Sequence, residues 1–235
     1  MRKTIRLDTL CSSALRFAGF LFLAVLLTAC SGGGAAQSGG EQKPPMHPDA
    51  QTAANRGLDS LRKLLTAENA KDMGFESPEE AAAAALGDPV RVQMVRLDAL
   101  RQYEASVDPG RLLTEANRVI YPVAVRDQVK SSIIVEGSGS QWKASSFGGP
   151  HFVRQMARYR TDVATRLKPA PDSVSVVHVA ALNLYFLGYR LDGRLMLTPL
   201  ENHPTYRLEA GASLPAEQVF AALAPIARDY NGLPL

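Results

Sequence analysis

Four histidines are the side chains with the broadest chemistry at neutral pH, because an imidazole can transfer protons or bind a metal. They occupy positions 47, 151, 178 and 203, so no two lie within one helical turn of each other. A helical metal motif needs ligands three or four residues apart, and the sequence therefore predicts no metal site and no cofactor. His178 lies in the apolar run VSVVHVAAL, where we expect a core histidine bonded to a backbone group.

One short pattern is similar to a catalytic motif. Ser140 and Lys143 have the S-x-x-K spacing of penicillin-binding enzymes, in which the serine begins a helix and the lysine faces it. Here the pair follows a Gly-Ser turn, and side chains three positions apart on a strand point to opposite faces. The companion motifs S-D-N and K-T-G do not occur in the sequence, and neither does G-x-S-x-G. The sequence therefore predicts no catalytic residues.

A predicted helix at 151–168 carries the residues best suited to contact an anion or a partner, namely His151, Arg154 and Arg158. The arginines lie opposite an apolar stripe, which consists of Phe152, Met156, Tyr159, Val163 and Leu167. His151 follows a Gly-Gly-Pro segment, so it lies where a helix N-terminus offers free N–H groups. Two interpretations stay open. The polar side is the solvated side of a core helix after a corner that needs glycine, or it contacts phosphorylated headgroups or an acidic protein.

The first thirty residues form three zones. Four basic residues precede 17–29, an apolar run of 13 residues without a charge. This length is typical of a signal-peptide core and is shorter than the roughly 20 residues of a membrane-spanning helix. The run ends in Leu27-Thr28-Ala29-Cys30, which resembles the lipobox of bacterial lipoproteins.

The resemblance implies that the signal peptide 1–29 is removed and that Cys30, the first mature residue, carries lipid. The lipid bilayer is then the first partner of the protein, and we expect an envelope protein as a further partner. In bacteria with enteric-type sorting, Ser31 implies the outer membrane, facing the periplasm, because Asp at this position favours inner-membrane retention.

Cysteine and charge counts exclude several kinds of site and partner. Cys11 lies in the signal peptide and Cys30 is consumed by lipid, so the mature chain is expected to have neither a disulfide nor a thiol-based site. Four of the 26 basic residues and one of the 23 acidic residues precede Cys30, which leaves 22 of each and a formal net charge of zero. This balance excludes the charge-based case for nucleic-acid binding.

Composition divides the mature chain into a tether, 30–48, and a single globular domain, 49–235. The tether is rich in glycine, serine, alanine and glutamine and then proline, with few apolar side chains to bury. We expect a flexible coil with a root-mean-square reach of roughly 20–25 Å. The remainder is long enough for one domain with its own core.

Periodicity and turn residues predict an α+β fold, in which an antiparallel sheet of hairpins carries helices packed on one face. Ser77, Pro78 and Glu80 form a capping box, and Asp192-Gly193 is the strongest hairpin turn. The predicted helices are 49–71, 77–86, 108–115, 151–168 and 215–230. The predicted strands are 89–100, 119–125, 128–135, 142–147, 174–191 and 194–200, with 205–209 as an edge strand.

These features favour a membrane-anchored envelope protein with a non-catalytic binding or scaffolding domain. Two alternatives remain. A protease-inhibitor or propeptide-like module would present an exposed apolar edge near 118–147. A hydrolase acting on the cell envelope would bring His151 or His178 within hydrogen-bond reach of a serine, such as Ser145 or Ser146, or of a carboxylate.

Overall fold

The computed structural model describes residues 48–169 and 173–231, which form five α-helices and nine strands. The predicted signal peptide, Cys30 and the tether up to residue 47 lie outside the described residues. The helices are α1 Pro48–Leu64, α2 Pro78–Ala82, α3 Leu97–Arg101, α4 Pro150–Leu167 and α5 Ala216–Asp229. The strands are β1 Ala85–Leu86, β2 Val90–Val95, β3 Leu113–Val125, β4 Gln128–Ser138, β5 Gln141–Gly148, β6 Ser175–Val179, β7 Leu184–Leu191, β8 Arg194–Pro199 and β9 Leu214–Pro215.

All nine strands belong to one sheet, in the order β5-β4-β3-β2-β6-β7-β8-β9, with β1 paired to β3. Antiparallel hairpins dominate, and among the described strands the pair β2/β6 is the parallel one. The predicted meander therefore appears as β3, β4 and β5, and the predicted second hairpin as β7 and β8. The α+β class with an antiparallel sheet of hairpins is confirmed.

Two-residue turns connect the strands of two of these hairpins. Asp192 and Gly193 have φ angles of 50° and 79°, and Arg126 and Asp127 between β3 and β4 have φ angles of 49° and 66°. Positive φ at both central positions matches the right-handed twist of the flanking strands. The Asp192-Gly193 turn was predictable from its glycine, whereas Arg126-Asp127 reaches the same conformation without one.

Helices cover both faces of the sheet, which corrects the prediction that they pack on one face. Val119 of β3 packs with α1, and its neighbour Ile120 packs with α4. The register carries this alternation through β2 to β6, where Val177 packs with α5 and Val176 with α4. We call the two sides the α1/α5 face and the α4 face. Both need a cover, because apolar side chains of the central strands point both ways.

Some predicted boundaries differ from the structure. The helix that begins at Pro48 ends at Leu64, and the alanine run forms the five-residue helix α2 and then β1. Ala85 and Leu86 leave the helix because they pair with Ala124 and Val123 of β3, so tertiary pairing overrides alanine's helix propensity. The predicted edge strand 205–209 is wrong: Pro204–Tyr206 is a 3-10 turn, and β9 forms the edge instead.

A reciprocal arginine clamp joins the ends of α3 and α5. Nε of Arg101 donates to the carbonyl of Ala227 at 2.8 Å, and its Nη2 donates to that of Tyr230 at 2.5 Å. Nε of Arg228 donates to the carbonyl of Arg101 at 3.0 Å, and its Nη2 donates to that of Tyr103 at 3.3 Å. Each arginine thus bonds terminal carbonyls that have no partner inside the other helix, where a positive charge also complements the helix dipole.

Candidate binding surface on helix α4

A glycine corner sets the direction in which α4 leaves the sheet. Gly148 and Gly149 have φ angles of 100° and 62°, which favour glycine because it has no Cβ. Pro150 then occupies the first helical turn, where its missing N–H costs nothing. The interpretation of these glycines as a backbone corner therefore has direct support.

The inner side of α4 is part of the core. Val153, Met156 and Val163 are completely buried, and they pack against residues of the α4 face of the sheet. Phe152 and Tyr159, also on the predicted apolar stripe, are half-buried at the margin of this cluster. The apolar stripe therefore faces the sheet as predicted, so the opposite side of α4 faces solvent.

The outer side of α4 exposes the three residues predicted to contact an anion or a partner. His151, Arg154 and Arg158 are all exposed, and Thr161 and Thr165 continue the same side toward the C-terminus. We call these five residues the α4 stripe. A rise of 1.5 Å per residue separates Arg154 from Arg158 by roughly 6 Å along the axis, so the two charges are close neighbours.

The arginines of α4 differ in what surrounds them. Arg160 bonds the carbonyl of Asp88 at 3.1 Å, and Arg166 forms a two-pronged ion pair with Asp162, whose Nε–Oδ1 distance is 2.8 Å. In the described part of the chain no acidic oxygen lies within 4.0 Å of Arg154 or Arg158. The guanidinium of Arg158 lies 5.7 Å from the ring centroid of Tyr159. The positive charge of the stripe is therefore not neutralised by a neighbouring described acid.

A stack of three rings holds the first turn of α4 to the sheet. His178 of β6 lies opposite Tyr185 of β7, with ring centroids 4.1 Å apart and planes 5° from parallel. Phe152 meets Tyr185 edge-on, with centroids 5.2 Å apart. Such offset or edge-on aromatic contacts add to the energy of burial. The stack therefore fixes where His151 and the rest of the stripe begin.

His178 differs from the predicted core histidine. It is half-buried, its Nε2 is sealed from solvent, and none of the described residues bonds that atom. Burial lowers the pKa of His178, and the positive charge of Arg118 lowers it further. Arg118 itself is held by Glu136, with Nη2 and Oε1 2.5 Å apart. His178 is therefore favoured in its neutral form.

The arrangement required for the hydrolase alternative does not form among the described residues. Nε2 of His178 reaches neither a serine nor a carboxylate, and His151 is exposed. Ser145 uses its hydroxyl to bond the carbonyl of Ile134 at 3.3 Å. The pair Ser140 and Lys143 lies at a turn and on β5, as expected for a chance match to S-x-x-K.

The edge strand β5 also departs from what the inhibitor alternative requires. Its exposed side chains are polar and comprise Gln141, Lys143, Ser145 and Ser146. Trp142, Ala144 and Phe147 are half-buried against the α1 cluster. The register shifts between Ile134 and Val135, which leaves Ser145 as a bulged residue on the edge. A bulge and a lysine are features that protect an edge strand from pairing with another chain.

One open cleft of about 600 Å³ is lined by the loop region around 202–214. Leu208, Ala212 and Leu214 line it, with Arg207 and Glu209 beside them. It contains none of the predicted contact residues.

Within residues 48–169 and 173–231, no three histidine, cysteine or acidic side chains cluster as metal ligands would. No described helix is long and apolar enough to cross a bilayer.

Comparison with known protein families, curated proteins and solved structures gave no match to this chain. Sequence reasoning found the stripe, but it missed the His178–Tyr185 stack and the Arg118–Glu136 pair. Both arise from strand register, which brings together residues distant in sequence. The alternation of polar residues on β3 and β4 was the available signal for Arg118 and Glu136.

Proposed function

We propose that this protein is a lipid-anchored protein of the bacterial cell envelope whose domain binds or scaffolds at the membrane surface without catalysing a reaction. The sequence Leu27-Thr28-Ala29-Cys30, placed directly after an uncharged apolar run, supports the anchor. The anchor is the thioether-linked lipid on Cys30, and Ser31 favours the outer membrane with the domain in the periplasm.

The observation that carries the binding role is the exposure of the α4 stripe. His151, Arg154 and Arg158 project from one side of a helix whose other side packs in the core through the completely buried Val153, Met156 and Val163. A rigid helix presents these side chains in a fixed arrangement, which lowers the entropy cost of binding compared with a loop. The stripe therefore has the form of a contact surface on a scaffold.

Metabolic labelling with a palmitate analogue tests the anchor. Wild-type protein and a Cys11→Ala control are expected to incorporate the label, because Cys11 lies in the segment that is removed. Cys30→Ala is expected to lose the label and to remain as unlipidated precursor or a soluble species. Label that persists in Cys30→Ala would contradict the assignment of the lipid to this cysteine.

Crosslinking in whole cells, followed by mass spectrometry, tests the binding role. A photoreactive residue at Thr161, on the stripe, is expected to crosslink to lipid or to an envelope protein. The same group at Gln51, exposed on α1 and on the other side of the sheet, is the matched control. Equal crosslinking at both positions, or none at either, would show that the stripe is ordinary solvated surface.

A further inference from the structure

The α4 stripe has a charge pattern that selects a particular kind of partner. Arg154 and Arg158 are exposed and one helical turn apart, and Thr161 and Thr165 add hydroxyl groups on the same side. Lys168 extends the positive charge beyond the helix. The acid nearest in sequence, Asp162, is bound to Arg166, so it does not offset the charge of the stripe. Arginines and hydroxyls in this arrangement are suited to phosphate oxygens.

We propose that the α4 stripe docks on the headgroups of anionic phospholipids in the membrane to which Cys30 is attached, and so sets the orientation of the domain. This inference rests on the proposed lipid anchor. It commits to a lipid surface rather than a protein, because the anchor keeps that surface beside the domain at all times. Each arginine close to an anionic membrane surface is expected to raise the equilibrium constant for docking by about fivefold.

The chain between Cys30 and α1 is long enough to allow the domain more than one orientation on the membrane. Eighteen steps separate Cys30 from Pro48, which span at most about 65 Å when fully extended. A domain of this size is roughly 40 Å across. A fully extended tether is therefore longer than the domain is wide, and among the orientations that it permits an anionic surface favours the one that presents the more positive side of the domain.

The α1/α5 face offers no comparable attraction on its largest helix. On α1, Asp59 is paired with Arg62 at 3.1 Å, and further exposed charges include both Arg56 and Lys63. The first turn of α1 also contains Asp49. Three basic and two acidic residues leave α1 with a net charge of +1, whereas four arginines and one aspartate leave α4 with a net charge of +3.

Fluorescence quenching in the lipidated full mature protein tests this orientation. The natural thiol of Cys30 is acylated in the mature chain, so Thr161→Cys introduces one labelling site on the stripe. Gln51→Cys on α1 gives the matched control position. Labelled protein is reconstituted in vesicles that contain a headgroup quencher and either phosphatidylcholine alone or phosphatidylcholine mixed with phosphatidylglycerol. Flotation of the vesicles reports the anchor separately from the quenching.

The probe at 161 is expected to be quenched more strongly in the phosphatidylglycerol vesicles, and the probe at 51 is not. Arg154→Gln/Arg158→Gln is expected to lower the ratio of docked to undocked protein by roughly 25-fold, as two arginines at about fivefold each. Arg56→Gln/Arg111→Gln removes the same charge from two exposed positions, one on α1 and one in the 3-10 turn before β3, and is expected to change nothing. Salt at about 1 M, where screening acts over about 3 Å, is expected to mimic the stripe variant.

Several outcomes would overturn the inference while leaving the anchor intact. One is floated protein in which the probes at 161 and 51 are quenched equally in both lipids. Another is quenching at 161 that survives both the stripe variant and high salt. Crosslinks from Thr161 to a protein alone in cells, with no lipid dependence in vesicles, would assign the stripe to an acidic protein partner instead. Protein that does not float would contradict the proposed anchor itself.

Discussion

Two pairs of arginines in this chain lie in opposite surroundings. Arg101 and Arg228 place four N–H donors on backbone carbonyls at the ends of α3 and α5. Arg154 and Arg158 are exposed on α4, with no acidic oxygen of the described residues within ion-pair distance. The first pair completes the fold, whereas the second leaves its donors available. The same side chain is therefore structural or available for contact according to the acceptors that the fold places beside it.

Within α4 the same contrast exists between the two sides of one helix. Met156 is completely buried and belongs to the cluster under the α4 face, whereas Arg154 and Arg158 lie on the opposite side. Changes on the inner side should therefore alter the free energy of unfolding. Changes on the outer side should alter attachment to the membrane and leave the free energy of unfolding unchanged.

The largest expected effect is that of Met156→Ala. Removal of a buried methionine side chain loses its transfer free energy and leaves a cavity, which together cost about 2–5 kcal/mol. Urea denaturation of the purified protein, followed by circular dichroism, measures this loss. A cost below about 0.5 kcal/mol would mean that α4 does not pack on the sheet by this side.

A smaller loss of stability is expected when the arginine clamp between α3 and α5 is removed. Arg101→Ala removes two charged hydrogen bonds, of which one is solvent-exposed, and should cost about 1–2 kcal/mol. Arg101→Lys should recover only part of this stability, because the ammonium group keeps the charge but cannot donate from two fixed nitrogens to two carbonyls. If Arg101→Ala is as stable as wild type, the contrast between the two arginine pairs fails.

Acidification should weaken the attachment of α4 through His178. Burial and Arg118 lower its pKa below the ordinary 6.5, so the folded protein binds fewer protons than the unfolded chain. The stability that depends on neutral His178 is therefore fully present above pH 6.5. It decreases as the pH falls below 6.5 and stops decreasing once the pH is below the lowered pKa of His178. His178→Phe keeps the stack on Tyr185 and should lose less stability than wild type between pH 7.5 and pH 5. Equal losses would contradict this role.

The smallest expected effect on stability is that of Arg154→Gln/Arg158→Gln. Surface substitutions away from buried contacts usually stay within about 0.5 kcal/mol, and this variant changes no hydrogen bond between described residues. Denaturation under the conditions used for Met156→Ala provides the comparison. Unfolding of the double variant would show that the outer side of α4 supports the fold.

Sequence reasoning predicted α4 well because several local signals agree there. Gly149, Pro150 and the apolar spacing of Met156 and Val163 all indicate the same helix and the same inner side. The hairpin at Asp192-Gly193 was predictable for a similar reason, since its turn residues favour positive φ. Arg154 and Arg158 could be placed on the outer side from spacing alone, and the structure confirms that placement.

Features that depend on distant pairing could not be predicted locally. The parallel pairing of β2 with β6 joins Val92 to Val176, which are 84 positions apart in the sequence. We predicted a backbone partner for His178, but its Nε2 bonds no described residue, and its ring instead stacks on Tyr185, which becomes its neighbour through the register of β6 and β7. The clamp joins residues about 126 positions apart, and neither arginine carries a local signal of it.

Reversal of the charge on the stripe tests most directly whether Arg154 and Arg158 serve attachment rather than folding. The lipidated mature protein with Arg154→Glu/Arg158→Glu, labelled at Thr161→Cys, is compared with the wild-type stripe on vesicles that contain either anionic or cationic lipid. The preference is expected to invert: quenching at 161 becomes weak on anionic vesicles and strong on cationic ones, with the melting temperature unchanged. Undiminished quenching of the reversed variant on anionic vesicles would show that Arg154 and Arg158 do not serve attachment.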